Sequence, residues 1–122
     1  MLGNFTTNIK PYVEAELQLA RTSYVVGDYS QAFKYLENAH VLGQESTYFH
    51  VKVHCIMFYW ALRQRDIHEL LGQTFRVIGA ATKTAIGLVP SGNTGGADVS
   101  PFKVMPIKEI HANYIENAKS GV

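Results

Sequence analysis

Twice in this sequence an aspartate stands three residues before a side chain able to return its hydrogen bond. Asp28 precedes Gln31 and Asp66 precedes Glu69, and each pair reads as a capping box that opens a helix. The flanking apolar residues recur at helical spacing, so the two boxes divide the first two thirds of the chain into four helices joined by tight turns. Asn8 is expected to cap the first helix, with Pro11 tolerated in its opening turn and Val13, Leu17, Ala20 and Tyr24 forming its stripe up to Gly27. The second helix runs from Asp28 to Gly43 with Tyr29, Ala32, Phe33, Leu36 and His40 inward. Ser46 opens a third helix that ends near Gln64. The fourth starts at Asp66, weakens around Gly79 and stops by Gly87. Residues 8–87 are therefore expected to form two consecutive antiparallel helical hairpins.

Residues 88–105 change character. The run LVPSGNTGGADVSPFKVM mixes glycine, proline and alternating apolar residues, which suits an ordered, extended loop crossing the surface. Pro106 can start a last helix over 106–118, with Ile107, Ile110, His111 and Tyr114 folding it back onto the hairpins and a disordered end over 118–122. The expectation is one all-α domain over 1–122. Its 122 residues, 47% hydrophobic and 17% charged, suffice for a packed core.

A net charge of +1 gives no field to gather a phosphate backbone or an anionic membrane, so neither nucleic acid nor membrane is an expected partner. Lys52, Arg63, Arg76 and Lys83 interrupt the greasiest stretches, well short of the roughly 20 apolar residues of a membrane span. Cys55 is the single cysteine, and the start MLGNFTTNIKPY lacks the pattern of a secretory signal, which points to the cytoplasm.

The chemistry-bearing residues are histidines. His50 and His54 lie one turn apart on the face of the third helix shared by Thr47, Met57 and Ala61, opposite Lys52, Tyr59 and Arg63. His40, at the end of the preceding antiparallel helix, is expected close to them. An i, i+4 pair with a third imidazole from a neighbouring helix can bind zinc, copper or nickel, and the ring nitrogens should then lie within about 4 Å of one another. Glu45, Cys55 and Met57 are nearby candidates for a further ligand, although Cys55 projects about 100° away from His54. The alternative is that the histidines are buried polar groups satisfied by backbone carbonyls or by the loop at Asn93, Thr94 and Gly95, pinned across the hairpins. A catalytic role lacks both an acidic partner at fixed spacing and an adjacent nucleophile, so the chain leans away from an enzyme. His68 and His111 read as ordinary helix residues. GNTGG has neither the lysine nor the following helix of a phosphate loop, and is better explained by a tight turn with positive-φ glycines.

Two resemblances add to this reading. GDYSQAFKYLENAH, with Ala20, Gly27, Tyr29, Ala32, Leu36 and Ala39 at small and apolar positions, resembles the second half of a tetratricopeptide repeat, which implies a hairpin shape but no ligand. The whole chain also resembles a family of small bacterial proteins known only as a domain of unknown function, number three-seven-zero-three. That resemblance rests on AHVLGQ at 39–44, on His50 and His54, and on VPSGNTGG at 89–96 running on to MPI at 105–107. It implies a fold and a short list of residues, without a reaction.

Two functional classes stand open. A helical-hairpin interaction module would dock on a protein partner or on a second copy through helix three or the 88–105 loop, and should show an exposed apolar groove. A metal-binding accessory protein would use His40, His50 and His54 instead.

Overall fold

The computed structural model describes residues 2–85, 87 and 89–121. Its five helices, in chain order, are α1 (Leu2–Val25), α2 (Tyr29–Gly43), α3 (Thr47–Gln64), α4 (Ile67–Ala85) and α5 (Glu109–Ser120), with no strand among the described residues. The fold is all-α. Helix α1 packs along α2 and α3 along α4, α2 joins the two hairpins by packing on α3, and α5 returns to α1.

The helix starts within the hairpins follow the capping side chains. Asp28 accepts from the Gln31 N–H at 3.2 Å, Ser46 from Phe49 at 3.4 Å and Asp66 from Glu69 at 3.0 Å, each meeting a donor that an initial helical turn leaves unpaired. The Glu69 carboxylate, however, is drawn away from its own helix start toward the loop. Helix α3 ends on Arg65 at φ 56, whose N–H closes on Leu62 O, and α4 continues through Gly79 to Ala85. Its expected end near Gly87 and the start of the loop fall around Ile86 and Leu88, which lie outside the described residues.

Several expectations need correction. Helix α1 starts at Leu2 rather than at Asn8, because Phe5 and Ile9 extend the buried stripe of Val13, Leu17 and Ala20 and carry the helix through Pro11. Asn8 instead donates its side-chain N–H to Ala118 O at 3.0 Å, tying α1 to α5. Helix α5 begins at Glu109, not Pro106, and buries His111, Ile115 and Ala118 while Ile110 stays exposed. The expected disordered end is helical to Ser120 and closes on Gly121 at φ 79, since Ala118 is held in the core; Val122 lies outside the described residues. Tyr29, expected inward, is 41% exposed and carries the turn of α2 that accepts from Trp60 Nε1–H at 3.1 Å.

Leu17, Leu36, Leu42, Phe49, Val53 and Met57 form the centre of a core that α5 caps with Ile115. Tyr12 and Tyr114 stack at 4.2 Å between ring centroids, and buried His111 stands 3.5 Å from Glu16, so both α5 contacts land on α1. No helix among the described residues is long and apolar enough to cross a membrane.

A candidate metal centre between α2 and α3

His40 sits near the end of α2, His50 and His54 lie one turn apart on α3, and all three are buried. The expected convergence is present. The rings stand 4.6–5.0 Å apart by centroid, and one nitrogen from each histidine falls within 4.8 Å of the others. That spread is wider than the expected limit of about 4 Å. Met57 and Ala61 share the inward face of α3 as the spacing requires, whereas Thr47 is exposed.

The ring partners determine which nitrogens carry protons. His40 Nδ1 stands 2.6 Å from the Asn93 carbonyl oxygen, which only accepts, so Nδ1 bears the hydrogen and Nε2 the lone pair. His54 Nδ1 stands 2.6 Å from Gln73 Oε1. The Gln73 amide cannot be reversed, because its nitrogen donates to Glu69 Oε2 at 2.6 Å and to Gly95 O at 2.9 Å, both acceptors. In its neutral form His54 therefore also donates from Nδ1 and presents a lone pair at Nε2. The two Nε2 atoms face each other across 3.0 Å.

Two facing lone pairs repel unless a cation or a shared proton lies at the junction. A proton is disfavoured on His40, whose pKa is driven well below 6.5 by burial first and then by His54 and His50, against a smaller upward pull from the Asn93 carbonyl. A divalent metal ion suits neutral imidazoles. Two imidazole nitrogens on one tetrahedral zinc lie roughly 3.3 Å apart at bond lengths of about 2.0–2.1 Å, close to the 3.0 Å between these two. Each of these rings also donates its other nitrogen to a fixed oxygen, the arrangement that orients metal-ligating histidines.

The loop closes the site. Asn93 donates to Ser100 O and Lys103 O at 2.8 Å and accepts from Gly95 N–H at 2.9 Å, so one side chain folds the loop whose carbonyl holds His40. Gly95, at φ 82, lies against the His40 ring so closely that a Cβ would stand 2.5 Å from Cδ2; only glycine fits there. Gly92 at φ 79 makes the companion turn, as the reading of GNTGG expects. Thr94, half-buried, links the two contacts. The Glu69 carboxylate accepts from Ala97 N–H at 2.9 and 3.1 Å, pinning the far end of the loop to α4.

The other expected ligands do not join. Cys55 is exposed, Met57 lies in the apolar core, and Glu45 pairs with Lys119 at 3.1 Å. His68 and His111 are both helix residues as expected, His68 exposed and His111, on the inward stripe of α5, buried against Glu16. Sequence reasoning missed Gln44, Glu69, Gln73 and Arg76, which surround or support the histidines. The available signal was the spacing of Glu69, Gln73 and Arg76, which places three polar groups on one face of α4.

The model of the family described as protein of unknown function (DUF3703) matches residues 7–115. The chain belongs to this family. Those residues contain all but the first turn of the two hairpins, the whole loop and the three histidines. No curated protein and no solved structure gives a match.

Proposed function

We propose that this member of the DUF3703 family is a transition-metal-binding accessory protein, with His40, His50 and His54 as ligands to zinc, copper or nickel. The observation that carries this reading is the pair of Nε2 lone pairs held 3.0 Å apart by partners that fix both tautomers. A purely structural use of buried histidines would turn one ring to donate to the other. With both rings neutral, each Nδ1–H is already committed elsewhere. Because His40 favours the neutral form, a metal ion meets a ligand that needs no deprotonation near neutral pH. The loop residues Pro90, Asn93, Gly95 and Pro101 line the cavity beside the three histidines.

Calorimetric titration of the chelator-treated protein with each of the three metals tests the reading. Binding in the micromolar range or tighter, lost in His40→Ala and His54→Ala and weakened in His50→Ala, supports it. No heat with any of the metals overturns it.

A protein-interaction role is the second reading, and a specific feature favours it. Ile67, Leu71, Phe75 and Ile78 make an apolar stripe along α4, each more than half exposed, and Phe102 and Val104 of the loop are also exposed. A groove of about 310 Å³ also opens between α1, α2 and α3 beside Leu17, Tyr24, Ile56 and Trp60. Either surface suits a protein partner or a second copy. Light scattering over a concentration series tests the homodimer, and a constant monomer mass rules it out.

A further inference from the structure

The histidines open onto a small cavity of about 20 Å³, which by the usual measure holds one or two occupants of water size. Gln44 and Arg76 line the same cavity, and each carries one buried polar atom without a partner, Gln44 Oε1 and Arg76 Nε. Neither atom is free to turn away. Gln44 is 3% exposed, and its amide nitrogen donates to Pro90 O at 2.6 Å, which commits Oε1 to the other side. Arg76 donates from its terminal nitrogens to Gly72 O at 3.1 Å and to Val99 O at 2.7 Å, which fixes the guanidinium plane. Leaving a buried polar group unpaired is costly, so one unfilled acceptor and one unfilled cationic donor on two residues that line one small cavity point to a ligand.

An occupant that satisfies both must accept a hydrogen bond from a cation and donate one to an amide oxygen. A bare anion meets only the arginine, and an ammonium-type ligand meets only the glutamine. An O–H group does both, and the volume leaves room for nothing larger than water or hydroxide beside a metal ion. The arginine charge favours the anionic form.

We propose that the three-histidine centre is an open site whose fourth ligand is a water-derived hydroxide, seated between Arg76 Nε–H and Gln44 Oε1. This rests on the reading of the histidines as metal ligands. Arg76 and Gln44 act on the exogenous ligand rather than on the metal, and the competing arrangement is one in which Gln44 Oε1 itself ligates the metal and closes the site.

The test uses the full chain loaded with one equivalent of Cu(II), whose electron paramagnetic resonance spectrum reads its ligands. Water enriched in oxygen-17 should broaden the copper lines. Fluoride is the informative competitor, being water-sized and anionic like hydroxide but unable to donate to Gln44. It should bind weakly to the unaltered protein, adding a fluorine splitting only at high concentration. Arg76→Gln should weaken fluoride about tenfold further in the copper-loaded variant, and Arg76→Lys should recover part of the loss. Gln44→Met should shift fluoride the opposite way, to tighter binding, by removing the oxygen that faces the anion. Opposite shifts in two variants cannot come from general loosening of the fold. Absence of oxygen-17 broadening, or fluoride affinity unmoved in Arg76→Gln, overturns the proposal and leaves the metal site standing. Failure to take up copper overturns the copper form of the metal site and the open site with it.

Discussion

The two hairpins are built on opposite plans. In α1 and α2 the apolar stripe faces inward: Phe5, Ile9, Val13 and Leu17 meet Leu36 and Ala39, and the exposed positions are largely polar. Helix α4 reverses this. Glu69 and Gln73 are buried and Arg76 is half-buried, while Ile67, Leu71, Phe75 and Ile78 face outward. Helix α3 lies between the two plans, presenting Phe49, Val53 and Met57 to the core and His50 and His54 to the site. One hairpin is thus held by hydrophobic burial. The other spends its interior on a hydrogen-bonded network whose members are individually costly to bury and stable only when every partner is present.

The sharpest way to break this contrast is to damage each hairpin and read both stability and metal affinity. Leu36, 3% exposed in the core of the first hairpin, should cost about 2–5 kcal/mol of folding free energy on truncation to alanine, as buried leucines generally do. Chemical denaturation measures that loss. Metal affinity of the folded Leu36→Ala protein should change little, and a large drop would show that the hairpins are not separable in this sense.

The converse prediction concerns Gln73, fully buried between Glu69, Gly95 and His54. Gln73→Leu keeps the approximate volume but leaves the His54 Nδ1–H and the Glu69 carboxylate each without that partner. The expected loss is about 10–100-fold in metal affinity, as for other residues that orient metal-bound histidines. Calorimetry on the folded variant reads it. An unchanged affinity would mean that the relay from Glu69 through Gln73 has no bearing on the metal.

How far these features were legible in the sequence follows the same division. The starts at Asp28, Ser46 and Asp66 could be read because a capping side chain meets a backbone N–H only three residues away, a local interaction. Asn8 misled because the same residue type that caps a helix also serves as a long-range clasp, here to Ala118. His40, His50 and His54 could be brought together from helical spacing and an antiparallel turn alone. Gln44, Gln73 and Arg76 could not, because what defines their roles is a loop far along the chain, at Pro90, Gly95 and Val99. The apolar stripe of α4 is plain in the sequence. Its outward direction is not, since helical periodicity gives two faces and leaves open which one a site made of polar groups will claim.

Acid should weaken the seam between the hairpins in the metal-free protein. His40 has a folded pKa well below the ordinary 6.5, so below pH 6.5 the unfolded chain binds a proton that the folded chain refuses. The contribution of neutral His40 is therefore complete above pH 6.5 and is lost as pH falls toward the depressed folded value. The slope approaches about 1.4 kcal/mol per pH unit for the one proton. Unfolding followed by denaturant at pH 7.5, 6.5 and 5.5 measures it. His40→Gln should be less stable at neutral pH but flatter across this range, and an equal slope in both proteins would show that His40 is not the group responsible.

The smallest effect on stability is expected where the sequence looks most hydrophobic. Phe75 is 77% exposed on α4, so Phe75→Ser removes little burial, and surface substitutions of this kind usually change stability by no more than about 0.5 kcal/mol. In the first hairpin the same exchange at a stripe position would remove core. If the outward face of α4 meets a second copy, wild-type unfolding will depend on protein concentration and Phe75→Ser will abolish that dependence while leaving the dilute-limit stability intact. If it meets nothing, both proteins will unfold identically at every concentration. A loss of several kcal/mol in the dilute limit would be a different result, requiring α4 to turn its apolar stripe inward, and would undo the inverted plan on which the contrast between the hairpins rests.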